Sequence, residues 1–393
     1  MRSVSEAIEE PTPRGIAAGI ARLIRTGELA PGDRLPTVRE LARELGVSPA
    51  TVSTAWQTLA STGLIVSRGR SGSTVRATSQ NWMPLRYQGL EGTMDAAVDL
   101  SQGTPDVRLL PSVDAALRAA LEHNAMLSIG AAGYRRRPDI PELHDLLREQ
   151  WPAPVESLTV VDGALDGIDR AFSSLLRFGD RAVVETPTFP PVLDLLETSG
   201  VEPLGVELDA EGMVPSSFAA ALALGPAVIF LQPRAHNPTG VSMSHDRARE
   251  LASILRRSRA AESAVVVEDD HSGAISMAEP VSLAVHVPER VIRVTSFSKS
   301  HGPDLRIGAL GGPRPLVDRI VARRLLGPGW TSRLTQAVLY RLLTDPESVG
   351  VVESAARTYA QRQIAFAAAM TEAGVSTAVG DGINAWVRVA DER

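Results

Sequence analysis

The chain of 393 residues contains no cysteine. That excludes disulfide bonds and thiolate metal sites, and no other metal site is expected. No apolar run approaches the roughly 20 residues that a membrane-crossing helix needs. The opening stretch, MRSVSEAIEE, lacks the apolar core of a secretory signal. A cytoplasmic protein with no membrane partner is the expectation. Lysine is almost missing as well. Of the 40 basic residues, 39 are arginine and one is Lys299. A guanidinium stays protonated near neutral pH, whereas a lysine amine can lose its proton and form a Schiff base. A lone lysine in an arginine-rich chain therefore draws attention to chemistry that arginine cannot perform.

Hydrophobic residues make up 44% and charged residues 22%, ordinary for a globular protein with a large core. The length allows two or three domains. Charge is unevenly spread. Residues 1–76 hold ten arginines against seven acidic residues, while residues 77–393 hold 30 basic against 39 acidic. A small basic head on an acidic body suggests that the head meets an anion such as nucleic acid.

Three helical patterns follow one another in the head. The first spans Pro13 to Thr26, with Ile16, Ile20, Leu23 and Ile24 on one face. The second starts after Thr37, which caps it while Glu40 reaches back. The third begins at Ser48-Pro49, a cap followed by proline at the first helical position. Gly46-Val47 joins the last two into a helix-turn-helix. Ala50, Thr51, Ser53, Thr54 and Gln57 then face outward, small and polar as groove reading requires. Two β-rich stretches around Arg68-Gly-Arg70 read as a hairpin wing whose arginines reach phosphates or the minor groove.

Residues 11–76, with GELAPGDRLPTVRELARELGVSPATVSTAWQTLASTGLIVSRGRSGSTV, resemble the winged helix-turn-helix of the GntR family. The resemblance implies a double-stranded DNA operator as partner. It also implies DNA contacts from Arg39 and from the start of the third helix, Ser48 to Thr54. Pro49 stands where that family often has arginine, which puts one contact in doubt. Residues 77–96 show no period and read as a linker, partly docked.

In residues 97–393, continuous apolar runs alternate with helical patterns. The runs are 158–161, 181–184, 227–231, 264–267 and 291–294. Such runs indicate strands covered on both faces, hence an α/β domain with a mostly parallel sheet. Ligands in such folds bind beyond the carboxyl ends of the strands, and the chemically distinctive residues fall there. Gly163 and Ala164 open a helix, a seat for phosphate. Phe189 offers a flat face, and Asn237, held before a proline, offers an amide. Asp269 offers a carboxylate to a protonated ring nitrogen. Ser296, Ser298, Lys299 and Arg306 complete the set. Together they match the needs of pyridoxal 5'-phosphate: an amine for the aldehyde, an anion for the ring nitrogen, and donors for the phosphate.

This series, with NPTG at 237–240 and SFSK at 296–299 followed by Arg306, resembles the fold-type I aminotransferases over most of residues 99–390. The resemblance implies that Lys299 forms the internal aldimine and that Asp269 pairs with the pyridine nitrogen. It places Asn237 on the ring hydroxyl, Phe189 on the ring face, and Gly163, Ala164, Ser296, Ser298 and Arg306 on the phosphate. Tyr134 is implied in the phosphate site of a neighbouring subunit, which makes a homodimer the expected assembly. His271 stands where that family usually has tyrosine. It can bond the ring oxygen but would titrate near neutral pH. The chain stops soon after Trp386, where those enzymes continue and supply an arginine for the substrate carboxylate, a role not carried onto Arg388. This part of the domain is therefore expected to be short.

The head and body together resemble the MocR subfamily of regulators, of the short-linker type. The resemblance implies a transcription factor whose body senses pyridoxal phosphate, an amine or an amino acid. The alternatives are a working aminotransferase with an accessory DNA-binding domain, and a DNA-binding repressor whose body only dimerises.

Overall fold

The computed structural model describes residues 4–8, 10–61, 63–67, 72–75, 84, 86, 103–122 and 138–387. The expectations for Arg68, Arg70, Tyr134 and Arg388, and for most of the linker, lie outside these residues. The chain divides into two compact units. One comprises residues 1–89 with 177–179 and 193–202; the other holds the remainder.

In the first unit, α1 (Pro13–Thr26), α2 (Val38–Leu45) and α3 (Pro49–Ser61) precede a hairpin of β1 (Ile65–Ser67) and β2 (Ser73–Val75). Each start signal in the sequence has a physical counterpart. Thr12 and Thr37 cap α1 and α2, and Glu40 closes the capping box by accepting from the Thr37 N–H at 2.8 Å. Gly27 and Gly46 end these helices in the left-handed conformation, which glycine enters without steric cost. Ile16, Ile20, Leu41, Val52, Trp56 and Leu59 meet in one core, joined by Ile65 and Val75 of the hairpin. β1 and β2 pair antiparallel with Val66 opposite Thr74. The same unit contains the Arg86 guanidinium bonded to the carboxylates of Asp194 and Glu197, both at 2.6 Å.

The second unit is built on an eight-stranded sheet. Its strands are β3 (Ser157–Val161), β4 (Arg181–Thr186), β5 (Glu202–Asp209), β6 (Gly212–Met213), β7 (Val228–Leu231), β8 (Val265–Asp270), β9 (Val291–Ser296) and β10 (Gly308–Gly312). Their spatial order is β3-β10-β9-β8-β7-β4-β5-β6. Strands β4, β7, β8 and β9 run parallel. β10 is antiparallel to both β3 and β9, so β3 shares their direction. The five apolar runs are these five like-directed strands, and their carboxyl ends lie along one edge. Among the described residues there are thirteen α-helices, and the first three in chain order are those of the head. The others are α4 (Val113–Glu122), α5 (Pro141–Glu149), α6 (Ala164–Leu175), α7 (Pro190–Thr198), α8 (Pro215–Leu222), α9 (His245–Arg257), α10 (Ser298–His301), α11 (Arg314–Arg324), α12 (Arg333–Thr344) and α13 (Pro346–Glu372). Central residues such as Val183, Ile229, Val266 and Val294 are fully buried, as strands covered on both faces require.

β10 was not anticipated from the sequence. Gly308, Ala309, Leu310, Gly311 and Gly312 form a glycine-rich strand that apolar counting misses. The glycines answer close approaches. A Cβ on Gly308 would lie 2.9 Å from the Thr295 carbonyl oxygen and 3.1 Å from the Gly163 carbonyl carbon. Among the described residues, no helix is long and apolar enough to cross a membrane.

Replacing Thr37 by alanine removes a cap whose loss typically costs about 1 kcal/mol. The expected outcome of Thr37→Ala is a lower unfolding midpoint for the head, followed by thermal denaturation of the full chain. An unchanged midpoint would contradict the capping role.

Candidate functional site

Three consecutive carboxylates end β8. The pleat of a strand sends alternate side chains to opposite faces, so Glu268 and Asp270 share one face and Asp269 takes the other. On the first face, Arg293 bonds Glu268 at 3.2 Å and Asp270 at 2.6 Å. Arg234 adds a second cation to Asp270 at 2.8 Å. Burial alone would raise the pKa of Asp270, but these two guanidiniums overcome it and hold the group down at about 2.

Asp269 has no such partner. It is 2% exposed, its Oδ2 accepts from Gln232 Nε2 at 2.7 Å, and its Oδ1 has no hydrogen-bond partner. Burial pushes its pKa up to about 7 against the Gln232 bond, and the nearby charges of Asp270 and Glu185 add to the rise. A buried carboxyl oxygen without a partner costs stability, so it marks a place prepared for a donor.

Lys299 lies in the short helix α10, directly beyond the end of β9. Its Nζ donates to the Gly103 carbonyl oxygen. Burial lowers the pKa of the amine, and Asp269 opposes that shift. His271, beyond the end of β8, is half-buried. The burial, reinforced by the charge of Lys299, pushes its pKa down to about 3. This corrects the expectation of titration near neutral pH: the ring is neutral there. Its Nε2 lies 3.2 Å from Ser272 Oγ, and its Nδ1 has no partner.

At the other end of the site, Gly163 sits at φ 102° before α6, and no side chain caps that helix. The N–H groups of its first turn carry the positive end of the helix dipole. Arg306, at φ 46°, occupies the left-handed region, a strained position for a side chain of this size. Two residues later Gly308 pairs with both Val161 and Ser296, so Arg306 enters between the ends of β3 and β9. Its Nη2 donates to the Asp162 carbonyl oxygen at 3.4 Å, and a Cβ on Gly163 would come within 2.8 Å of that nitrogen. Ser296 Oγ accepts from the Ser298 N–H at 3.2 Å, which fixes the turn leading to Lys299. Phe189, half-buried, immediately precedes α7. The Asn237 N–H donates to Gln232 Oε1 at 2.8 Å.

The described residues singled out from the body sequence for the cofactor site thus lie at or just beyond the ends of β3, β4, β7, β8 and β9, or just before β10. Sequence reasoning missed Gln232, Gly103 and Gly308. Gln232 directly follows the apolar run 227–231 but carried no chemical signal by itself. Gly103 is distant in sequence from Lys299, and no periodicity connects them.

In the head, Arg39 and Ala50 are exposed and Ser53 is half-buried. Ser48 Oγ accepts from the Thr51 N–H at 3.2 Å and lies 2.9 Å from Thr51 Oγ1. Thr54 Oγ1 donates to the Ala50 carbonyl oxygen at 3.0 Å. The hydroxyl of Thr54 thus spends its hydrogen inside the helix and presents acceptor lone pairs outward.

These features define a helix-turn-helix head joined to an aminotransferase-like body with a site fit for an aldehyde, a basic ring nitrogen and a phosphate. Comparison with known proteins agrees on the two folds. Residues 12–75 match the bacterial regulatory proteins of the gntR family, and residues 96–392 match aminotransferase class I and II. The chain is 34% identical over 384 residues to the vitamin B6 salvage pathway transcriptional repressor PtsJ of Salmonella typhimurium, covering 97% of this chain and 86% of that protein. It is 30% identical to the pyridoxine biosynthesis transcriptional regulator PdxR of Corynebacterium glutamicum over 81% of this chain and 70% of that one. Its fold matches a multiple substrate aminotransferase of Thermococcus profundus with a TM-score of 0.67 at 21% identity, covering 78% and 79% of the two chains. The chain belongs to the MocR subfamily of GntR-type transcriptional regulators.

The unpaired Asp269 generates a prediction for the ligand-free protein. Its folded pKa of about 7 lies above the usual 3.8. The associated stability is therefore full below about pH 4 and is lost as the pH rises through about 7. Asp269→Asn removes the buried charge. It should raise the unfolding temperature at pH 8, by about 1–3 kcal/mol of stability, with little change at pH 4. An equal effect at both pH values would show that the charge is not the cause.

Proposed function

We propose that this protein is a transcriptional regulator that binds an operator through its head and pyridoxal 5'-phosphate through its body. The observation that carries the cofactor reading is the orphaned, buried Oδ1 of Asp269, on the same sheet edge as the solitary lysine. A protonated pyridine nitrogen supplies the missing donor. At the other end, the uncapped start of α6 and the Arg306 guanidinium suit a phosphate dianion.

The roles follow residue by residue. Lys299, with its pKa lowered by burial, presents an amine more readily deprotonated than a surface lysine. Asp269 holds the proton on the ring nitrogen. Asn237 and the neutral His271 address the ring oxygen, and Phe189 covers the ring. Gly163, Ala164, Ser296, Ser298 and Arg306 bind the phosphate, with Tyr134 contributed across a homodimer. Pyridoxal phosphate itself supplies an aldehyde that condenses with a primary amine, and an electron-withdrawing ring. A ligand held there changes DNA affinity only if it binds two conformations of the protein unequally. The names of PtsJ and PdxR, which tie both relatives to vitamin B6, favour the vitamer itself as effector. The cytoplasm is the proposed location.

In the head, the exposed Arg39 suits a phosphate or guanine contact. The start of α3, with Ser48, Ala50, Thr51, Ser53 and Thr54, suits the major groove. Arg68 and Arg70 are assigned to the wing contacts. The domain limits proposed for this arrangement are 1–76, 77–96 and 97–393.

Two measurements test the reading together. Purified protein titrated with pyridoxal phosphate should gain visible absorbance, and Lys299→Ala should lose that band. Binding to the promoter region beside its own gene should change on adding the vitamer to wild type and stay constant in Lys299→Ala. A band that persists without Lys299, or turnover of amino acids with no specific DNA affinity, would sink the regulator reading.

A further inference from the structure

Gln232 immediately follows β7 and is 3% exposed. Its side chain joins two residues that the functional reading places at different polar edges of one ring. Nε2 donates to Asp269 Oδ2 at 2.7 Å, and Oε1 accepts from the Asn237 N–H at 2.8 Å. The backbone N–H of Gln232 in turn donates to Glu185 Oε2 at 2.8 Å, which anchors the residue to the end of β4. The direction of the amide is not free. A backbone N–H only donates, so the oxygen end must face Asn237 and the NH2 end must face Asp269.

We propose that Gln232 is a positioning residue for a ligand with a basic ring nitrogen: it engages one oxygen of Asp269, leaves the other for the ring, and favours the charged form of the carboxylate. Among the described residues it is the sole hydrogen-bond donor to the Asp269 side chain. A donor of this kind favours the charged form of a carboxylate. The other charged groups acting on Asp269 are Asp270 and Glu185, which oppose ionisation, and Arg293, which favours it. Lys299 also couples to Asp269. The two carboxylates make the neutral amide important. A second carboxylate in place of Gln232 would compete with Asp269 for a proton, and an apolar side chain would leave Asp269 and the Asn237 N–H without their partner. The same amide also sets the span between the group facing the ring nitrogen and the turn that carries Asn237.

This inference rests on the cofactor reading given above, and its test separates the two. Full-length wild type and Gln232→Met, which keeps the side-chain length but has no amide, are titrated with two ligands. One is pyridoxal phosphate; the other is its analogue with a C–H in place of the ring nitrogen. The expected result is about a tenfold weaker affinity of Gln232→Met for pyridoxal phosphate, the value of one hydrogen bond to a charged group. The analogue, which keeps the ring hydroxyl but has no nitrogen for Asp269 to hold, should lose much less affinity in the variant. Equal losses for both ligands, or no loss for either, overturn the positioning role while leaving the cofactor reading intact. Wild type that binds neither ligand overturns both. Should Gln232→Met fail to fold, Gln232→Asn, which keeps the amide but draws it back by one methylene, gives the same two-ligand comparison.

Discussion

Glu268, Asp269 and Asp270 follow one another on a single strand, and the pleat divides them between two environments. On one face, two guanidiniums meet two carboxylates, and the charges balance in a fully buried network. Such a network contributes little net stability, but removing one member leaves an uncompensated charge in the core. On the other face, Asp269 has only an amide. The balance on the first face is what makes the imbalance on the second possible, since Arg293 and Arg234 are already committed to Glu268 and Asp270. The site depends on this arrangement: a buried carboxyl that is costly without a cationic partner and favourable with one.

The rest of the site is positioned by strand direction. Five strands run the same way, so their carboxyl ends deliver residues from five separate stretches of sequence to one edge. The antiparallel β10 then brings the chain back between β3 and β9. Its first residue has to be glycine-sized, because Thr295 and Gly163 crowd it. Arg306 reaches the start of α6 by way of a left-handed backbone conformation. Strain at this position is tolerated because strands on both sides fix the chain.

Much of this was legible in the sequence. The apolar runs are long enough and continuous enough to read as doubly covered strands. The caps at Thr37 and Ser48 are local, since each involves hydrogen bonds within four residues. Lys299 was conspicuous because every other cation in the chain is arginine. The reading of His271 was corrected because the pKa of imidazole depends on burial, which no local pattern reports. β10 escaped because glycine carries no hydropathy signal, and one of the two strands it pairs with, β3, lies over a hundred residues away.

The amino-acid sequence by itself determined the helices of the head, the five like-directed strands of the body, the division into a small basic head and a large α/β body, and the residue types that suit a ring, an aldehyde and a phosphate. These follow from periodicity and local hydrogen bonding, which act over a few residues. Only the tertiary structure decided which oxygen of Asp269 is spent and which is left, that Gln232 spends it, and that Gly103 meets Lys299. Those outcomes depend on burial and on contacts across the sheet, and both arise only when distant segments pack together.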